Sequence, residues 1–271
     1  MKEPDDMKNF KLIIEYDGTG FNGWQVQAAG RTVQGEIEKA VSTMTGRNIR
    51  ISGSGRTDAG VHALGQVAAF RCSTRLNAEV FYSGLNSLLP DDIAVLSCEQ
   101  VAPDFHPRFD ASAKTYLYRI NNTPMPAAVG RGYFWHIKNP LDIDAMRAAI
   151  RHVIGTHDFR AFENTGSPRS HTVRTVYSAA VQKAPDPEDP LAGHDKSVLT
   201  GRGLVAIHIT ANGFLRCMVR NIAGSLVEVG LLRLTPDEFA VIMEKKDRRL
   251  APPAAPPHGL FLHSVQYGKA G

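Results

Sequence analysis

The chain is poor in cysteine. Cys72, Cys98 and Cys217 are scattered and odd in number, and no CxxC pair occurs. That argues against a disulfide framework and a zinc finger and makes a reducing cytoplasm the expected compartment. No apolar stretch approaches the roughly 18 residues that suggest a membrane span. Residues Met1 to Lys8 are polar and acidic, unlike a secretory signal. There is no GxxxxGK[ST] loop and no GxSxG elbow. Gly53-x-Gly55 begins like a dinucleotide fingerprint, but Asp58 stands where the third glycine belongs, and its carboxylate would repel pyrophosphate. His157-Asp158 and His194-Asp195 are adjacent pairs with no further His or carboxylate at supporting ligand spacing.

What is present is ordinary globular material. The 271 residues are 43% hydrophobic and 21% charged, which excludes a disordered or fibrous protein and leaves room for one large domain or two of middling size. The net charge of +4 is unevenly spread. Residues 1–110 carry 11 Lys and Arg against 14 Asp and Glu, whereas residues 111–271 carry 20 against 13. Arginine dominates the basic part, and its guanidinium fork suits phosphate oxygens. A solvated surface with uneven charge would account for the count equally well.

Periodicity predicts alternating strands and helices. Lys11 to Tyr16 reads as a strand. Val33, Ile37, Ala40, Val41 and Met44 recur at helical spacing, with Thr32 as cap and Gly46 as stop. Strands are expected at Asn48–Ser52, Gln66–Arg71 and Ile93–Val101, and a helix at Glu79–Leu89 behind Asn77. This β-α-β-β-α-β order is the ferredoxin-like pattern. The second part repeats the theme less neatly. Strands are expected at Thr115–Ile120, Tyr133–Ile137, Val173–Gln182, Leu204–Ile209 and Leu260–Tyr267. Helices are expected after Asp142, along the stripe Phe214, Met218, Ile222, Leu226 and Val229, and over Pro236–Glu244. The expected fold class is therefore α+β: two ferredoxin-like halves with antiparallel sheets joined side by side, residues 9–108 holding the Gly-rich loop and 109–268 forming the basic half. Residues 184–200 read as a surface insertion, and the Pro/Ala tract 251–257 as a connection without chemistry.

The densest chemistry lies in Gly53-Ser54-Gly55-Arg56-Thr57-Asp58-Ala59-Gly60-Val61-His62-Ala63. Glycines recur where the backbone must turn or approach closely, and Arg56 and Asp58 stand between them. A tight turn in which Asp58 caps its own backbone is the plainer explanation; the crowding of Arg, Thr, Asp and His favours a functional loop. Tyr116 and Tyr118 share one face of a strand, where Tyr can stack on an unpaired base or simply satisfy strand propensity. Arg216 and Arg220, four apart on the stripe helix, share a face. Arg220 abuts the buried stripe and so needs an anionic partner, a side chain or a phosphate, although a plain surface pair of arginines is the simpler explanation when the two are taken alone.

These residues carry a resemblance. Gly55 to Ala63 resembles the active-site motif of the A-type tRNA pseudouridine synthases. Tyr16-Asp17-Gly18-Thr19 with Phe21-x-Gly23-Trp24-Gln25 is similar to that family's first strand and loop. So are, for later blocks, Thr32 to Glu36, Phe109 to Tyr118, Met218 to Ile222 with Gly224-Ser225-Leu226, and Gly259 to Leu262. The likeness runs from about Lys11 to Tyr267. It implies isomerisation of uridine to pseudouridine at roughly positions 38 to 40 of the tRNA anticodon arm, reached through RNA shape more than sequence. It implies no metal or organic cofactor, and a homodimer with one tRNA spanning both subunits. It assigns Asp58 as the essential carboxylate, as nucleophile or base, and Arg220 as the cation that keeps it ionised. It puts Arg56 beside the target nucleotide, where basic contacts offset the few kcal/mol of flipping a base. Tyr116 would stack on the flipped uracil, its hydroxyl assisting proton transfer at C5. His62 receives no chemistry. Arg151, Arg160, Arg169, Arg174 and Arg202 are candidates to line a groove for the RNA.

Two other classes compete. A non-catalytic RNA-binding protein with two such halves explains the strands, the tyrosines and the basic half, but not a carboxylate held next to Arg56. A base-releasing hydrolase would need a second carboxylate near Asp58; the sequence nominates none, and Asp110 is no more than a guess.

Overall fold

The computed structural model describes residues 7–164, 171–183 and 203–268. The insertion read at 184–200, Arg169, Arg202 and the pair His194-Asp195 lie outside the described residues. The fold is α+β. Its contacts divide the chain into two compact units, residues 1–113 with 262–271, and residues 114–261.

In the first unit the elements run β1 (Met7–Tyr16), α1 (Val33–Thr45), β2 (Ser52–Gly53), β3 (His62–Ser73), α2 (Ala78–Leu88) and β4 (Ile93–Val101). β1 pairs antiparallel with both β3 and β4, and β2 pairs antiparallel with β3, giving the order β4-β1-β3-β2. Alternation along β1 sends Phe10, Leu12, Ile14 and Tyr16 into the core. There Phe10, Phe70 and Phe81 form a ring cluster with centroids 4.8 to 5.4 Å apart. The Thr32 hydroxyl accepts from Gly35 N–H at the start of α1, and Gly46 closes it at φ +67°. Asn77 caps α2 by accepting from Val80 N–H. The last strand of the chain, β10 (Leu260–Tyr267), brings residues 262–267 beside β3. A Cβ on Gly65 would meet His263 O at 2.7 Å, so only glycine admits that approach.

The strand expected at Asn48–Ser52 shrinks to the two residues of β2. Ile49 and Ile51 are buried as their apolarity predicts. The backbone of Ile51, however, is satisfied by side chains of α1 and not by a neighbouring strand. Its N–H donates to Glu38 Oε1 at 3.0 Å and its carbonyl accepts from Gln34 Nε2 at 3.0 Å. This competition between side chain and ladder is invisible to periodicity.

The second unit holds β5 (Ala111–Asn121, from Lys114 onward), β6 (Trp135–His136), α3 (Ile143–Ile150), β7 (Gly155–Asp158), β8 (Val173–Lys183), β9 (Leu204–Ala211), α4 (Met218–Gly230) and α5 (Pro236–Lys245). Its antiparallel order is β5-β9-β8-β7, with β6 parallel to the end of β5. Fully buried Val205, Ile207 and Ile209 of β9, and Ile222, Leu226 and Val229 of α4, build its core. α5 begins with a complete capping box between Thr235 and Glu238 and with Pro236 in its first turn.

Two expectations are corrected here. The strand read at Tyr133–Ile137 is only β6, because Gly130 at φ +73° opens a 3-10 turn over Arg131–Tyr133. The stripe helix starts at Met218 and not at Phe214: Cys217 sits in the left-handed region at φ +60° and breaks the helical run. Arg216 therefore lies off α4 and shares no helical face with Arg220.

Glu38 holds both the Gln34 amide and the Ile51 N–H. Glu38→Ala should lower unfolding stability by about 1–2 kcal/mol, the cost of stranding a part-buried donor, and Glu38→Gln by less. Urea denaturation of the three proteins checks this.

Candidate active site

The loop between β2 and β3 is anchored along its length. Ser54 N–H donates to Val67 O at 2.7 Å, and Ser54 Oγ donates to Gln66 Oε1 at 2.7 Å. The Gln66 amide returns to Gly55 O at 3.0 Å. One residue on, Thr57 turns inward, where its hydroxyl lies 2.7 Å from the Tyr16 hydroxyl. Thr57 O accepts from Trp24 N–H at 3.1 Å. Val61 N–H closes a turn on the main-chain carbonyl of Asp58 at 3.2 Å, and Gly60 N–H reaches Phe21 O at 3.3 Å. With Thr57 buried, its neighbours stay accessible: Arg56 is exposed and Asp58 half-buried. Burial pushes the Tyr16 hydroxyl far above its ordinary pKa, with the Thr57 hydrogen bond opposing, so Tyr16 stays neutral and available to hold Thr57.

The segment 18–24 packs backbone to backbone against this loop. A Cβ on Gly18 would come within 2.1 Å of Val61 O, and one on Gly23, at φ +91°, within 2.5 Å of Thr57 O. The Trp24 ring lies against Gly53, leaving no room for a side chain there. His62 is buried, and its Nδ1 accepts from Gly18 N–H at 3.0 Å. It thus links the two segments.

The other predicted residues lie in the second unit. Tyr116 on β5 is paired with Ile209 and meets Phe214 edge-on at 4.9 Å. Tyr118 is fully buried, and its hydroxyl donates to Pro256 O at 2.9 Å. Tyr118 is the more completely covered of the two tyrosines, Tyr116 being buried as well. Arg220 stands in the first turn of α4. Its Nε donates to Ala255 O at 2.8 Å, and its main-chain carbonyl accepts from Ala255 N–H at 2.9 Å. Arg220 is close enough to oppose the rise that burial causes in the Tyr118 pKa. Burial lowers the pKa of His258, the Phe134 backbone opposes that, and the Arg220 cation adds to it.

The tract 251–257, read as a connection without chemistry, is thus the clamp that orients Arg220. A Cβ on Gly224 would meet Pro253 O at 2.2 Å, so the small residue in α4 lets the tract approach. Asn221 is a second unpredicted fixture. Fully buried, it donates from Nδ2 to Phe162 O and Asn164 Oδ1 and accepts from Arg248 Nη2 at 2.9 Å. The sequence marked Asn221 only as Arg220's neighbour; a buried amide needs such partners.

Of the groove candidates, Arg151 and Arg160 are exposed, while Arg174 is half-buried and donates to the carbonyls of His171 and Val173. Asp158 takes the Thr172 hydroxyl at 2.6 Å, and His157 Nε2 lies 2.8 Å from Ile154 O. Asp110 accepts from His106 N–H at 2.8 Å as a turn cap. Among the described residues no group of three or more His, Cys, Asp or Glu is placed to hold a metal ion.

Gly23→Ala forces a side chain into Thr57 O at a φ that L-residues avoid. It should abolish turnover, by at least about 100-fold in kcat if the loop moves as little as ~1 Å. Comparing its near-UV and far-UV circular dichroism with wild type will separate a shifted loop from an unfolded protein.

Comparison with known proteins yields one consistent result. A family model described as tRNA pseudouridine synthase matches residues 12–110 and 149–268. The chain is 42% identical over 261 residues to the tRNA pseudouridine synthase A of Thermoanaerobacter sp. (strain X514), covering 96% of this chain and 100% of that protein. It is 42% identical to the protein of that name from Clostridium acetobutylicum and 41% to that from Pelobacter propionicus, with the same coverage.

Proposed function

The chain belongs to the tRNA pseudouridine synthase family, and from that membership we propose that it isomerises uridine to pseudouridine at positions 38–40 of the tRNA anticodon arm. The observation that carries this reading is the Gly55–Ala63 loop, whose sequence resembles the family's active-site motif and whose backbone is held by Gln66 and Trp24 while Arg56 and Asp58 stay accessible. The non-catalytic rival leaves that construction without a purpose.

The reaction breaks the bond from N1 of uracil to C1′ of ribose and forms one from C5 to C1′. The hydrogen on C5 leaves as a proton and N1 gains one, so the product is an isomer and no oxidant or reductant is consumed. Asp58 supplies the essential carboxylate. Arg220 is the cation assigned to that carboxylate, and Arg56 holds the target nucleotide out of its stack. Tyr116 stacks on the uracil and assists proton transfer at C5. The Ala255 clamp on Arg220 supports this assignment, because a fixed guanidinium loses little freedom when it meets an anion.

We assign each unit a ferredoxin-like architecture, for which the order β4-β1-β3-β2 in the first, and β5-β9-β8 with α3 between β5 and β8 and α4 after β9 in the second, are the support. The working enzyme is a cytoplasmic homodimer that binds one tRNA across both subunits. Excess basic charge in residues 111–271 supplies phosphate contacts.

A tRNA transcript tritiated at uracil C5, incubated with purified protein and no cofactor, tests the reaction. Wild type should release tritium and leave no free uracil. Asp58→Ala should release none, and Arg220→Ala and Arg56→Ala should fall by about 100-fold or more, the scale of losing one electrostatic contact in a closed site. Tyr116→Phe, which keeps the ring and loses the hydroxyl, should retain binding. Binding without tritium release would favour the RNA-binding rival. Free uracil would favour the hydrolase.

A further inference from the structure

The segment 102–110, which joins β4 to β5, places a large aromatic ring in solvent. Phe109 is 73% exposed. Single exposed apolar residues are common, but this one is presented by a rigid loop. At the base of the loop, buried Asn9 donates from Nδ2 to Ala102 O and Phe105 O, each at 3.0 Å. The Phe105 ring packs on Tyr267 at 5.1 Å, Lys11 Nζ lies over both rings, and the Tyr267 hydroxyl donates to Pro107 O at 2.7 Å. At the tip, His106 N–H donates to Asp110 Oδ2, Asp110 N–H returns to His106 O at 3.1 Å, and His106 Nδ1 faces the N–H groups of Arg108 and Phe109 at 3.1 and 3.3 Å. The His106 ring covers one side of Phe109 with centroids 4.3 Å apart. The exposed Arg108 guanidinium lies 5.6 Å from the same ring, with no carboxylate partner among the described residues.

We propose that Phe109, backed by His106 and flanked by Arg108, is a stacking platform for an unpaired base of the RNA substrate other than the reacting uridine. Arg108 would contact the phosphate beside that base. The proposal rests on the reading that the substrate is RNA. An aromatic face accepts any base, and a ring fixed before binding loses little entropy on contact. A cation next to an aromatic is the pairing that single-stranded RNA sites use. The platform binds and positions; it takes no part in bond-making.

The test compares wild type with Phe109→Ala, Phe109→Leu, Phe109→Tyr and Phe109→Trp, measuring tRNA affinity, KM and kcat by tritium release, thermal midpoint and native mass. Phe109→Ala and Phe109→Leu should raise Kd and KM about five- to hundred-fold, with kcat within about two-fold and unchanged thermal midpoints. Phe109→Tyr and Phe109→Trp should bind like wild type, and the added indole emission of Phe109→Trp should be quenched by tRNA. Unchanged KM in all four variants, or a loss matched by a shift in native mass, overturns the platform. The second result would make Phe109 a subunit contact. A wild type that binds no tRNA would remove the functional reading and the platform together; wild-type binding with an indifferent Phe109→Ala removes the platform alone.

Discussion

The first unit is organised around one steric constraint: the backbone of residues 18–24 lies in van der Waals contact with the backbone of residues 57–61. Two glycines make this possible, since at Gly18 and Gly23 any Cβ would overlap a carbonyl oxygen. The contact lets Trp24 N–H reach Thr57 O and Gly18 N–H reach His62 Nδ1. With these bonds and those of Gly60 N–H to Phe21 O and Val61 N–H to Asp58 O, the loop carries Arg56 and Asp58 without a regular ladder of its own. Dense packing of this kind is intolerant of added volume, which is why the motif contains so many small residues.

The same economy recurs in the second unit by different means. Gly224 removes a side chain so that residues 253–255 can lie on α4. Ala255 then holds Arg220 at two points, one on the main chain and one on the guanidinium. Helix α4 itself starts where Cys217 adopts a left-handed conformation, so Arg220 falls in the first turn and not in the middle of a longer helix. In both units a predicted site residue sits on backbone held by close contact with a second segment, residues 18–24 in one and residues 253–255 in the other.

Much of this was legible in the residues. The caps Thr32, Asn77, Asp142 and Thr235, and strands β4 and β10, stand where local chemistry put them, because caps and alternation are short-range signals. The Gly-rich loop stood out by composition alone, and its placement between β2 and β3 follows the expected order. Two kinds of feature were not legible. Long-range substitutions for a ladder, such as Glu38 and Gln34 serving Ile51, remove a strand that apolarity predicts. Clamps such as Ala255 on Arg220 depend on residues 35 apart with no side-chain chemistry to announce them. A non-glycine residue at positive φ, as at Cys217, likewise moves a helix boundary without any compositional sign.

The central claim is that the loop bearing Asp58 is a fixed part of the first unit and not a mobile connection. Amide hydrogen exchange at Ser54 and Trp24 tests it most directly, because their N–H groups are bonded across the loop to Val67 O and Thr57 O. The account predicts protection at both amides within about ten-fold of the β3 interior, reflecting the same cooperative opening. Exchange at the rate of an open surface loop, with β3 still protected, would contradict it.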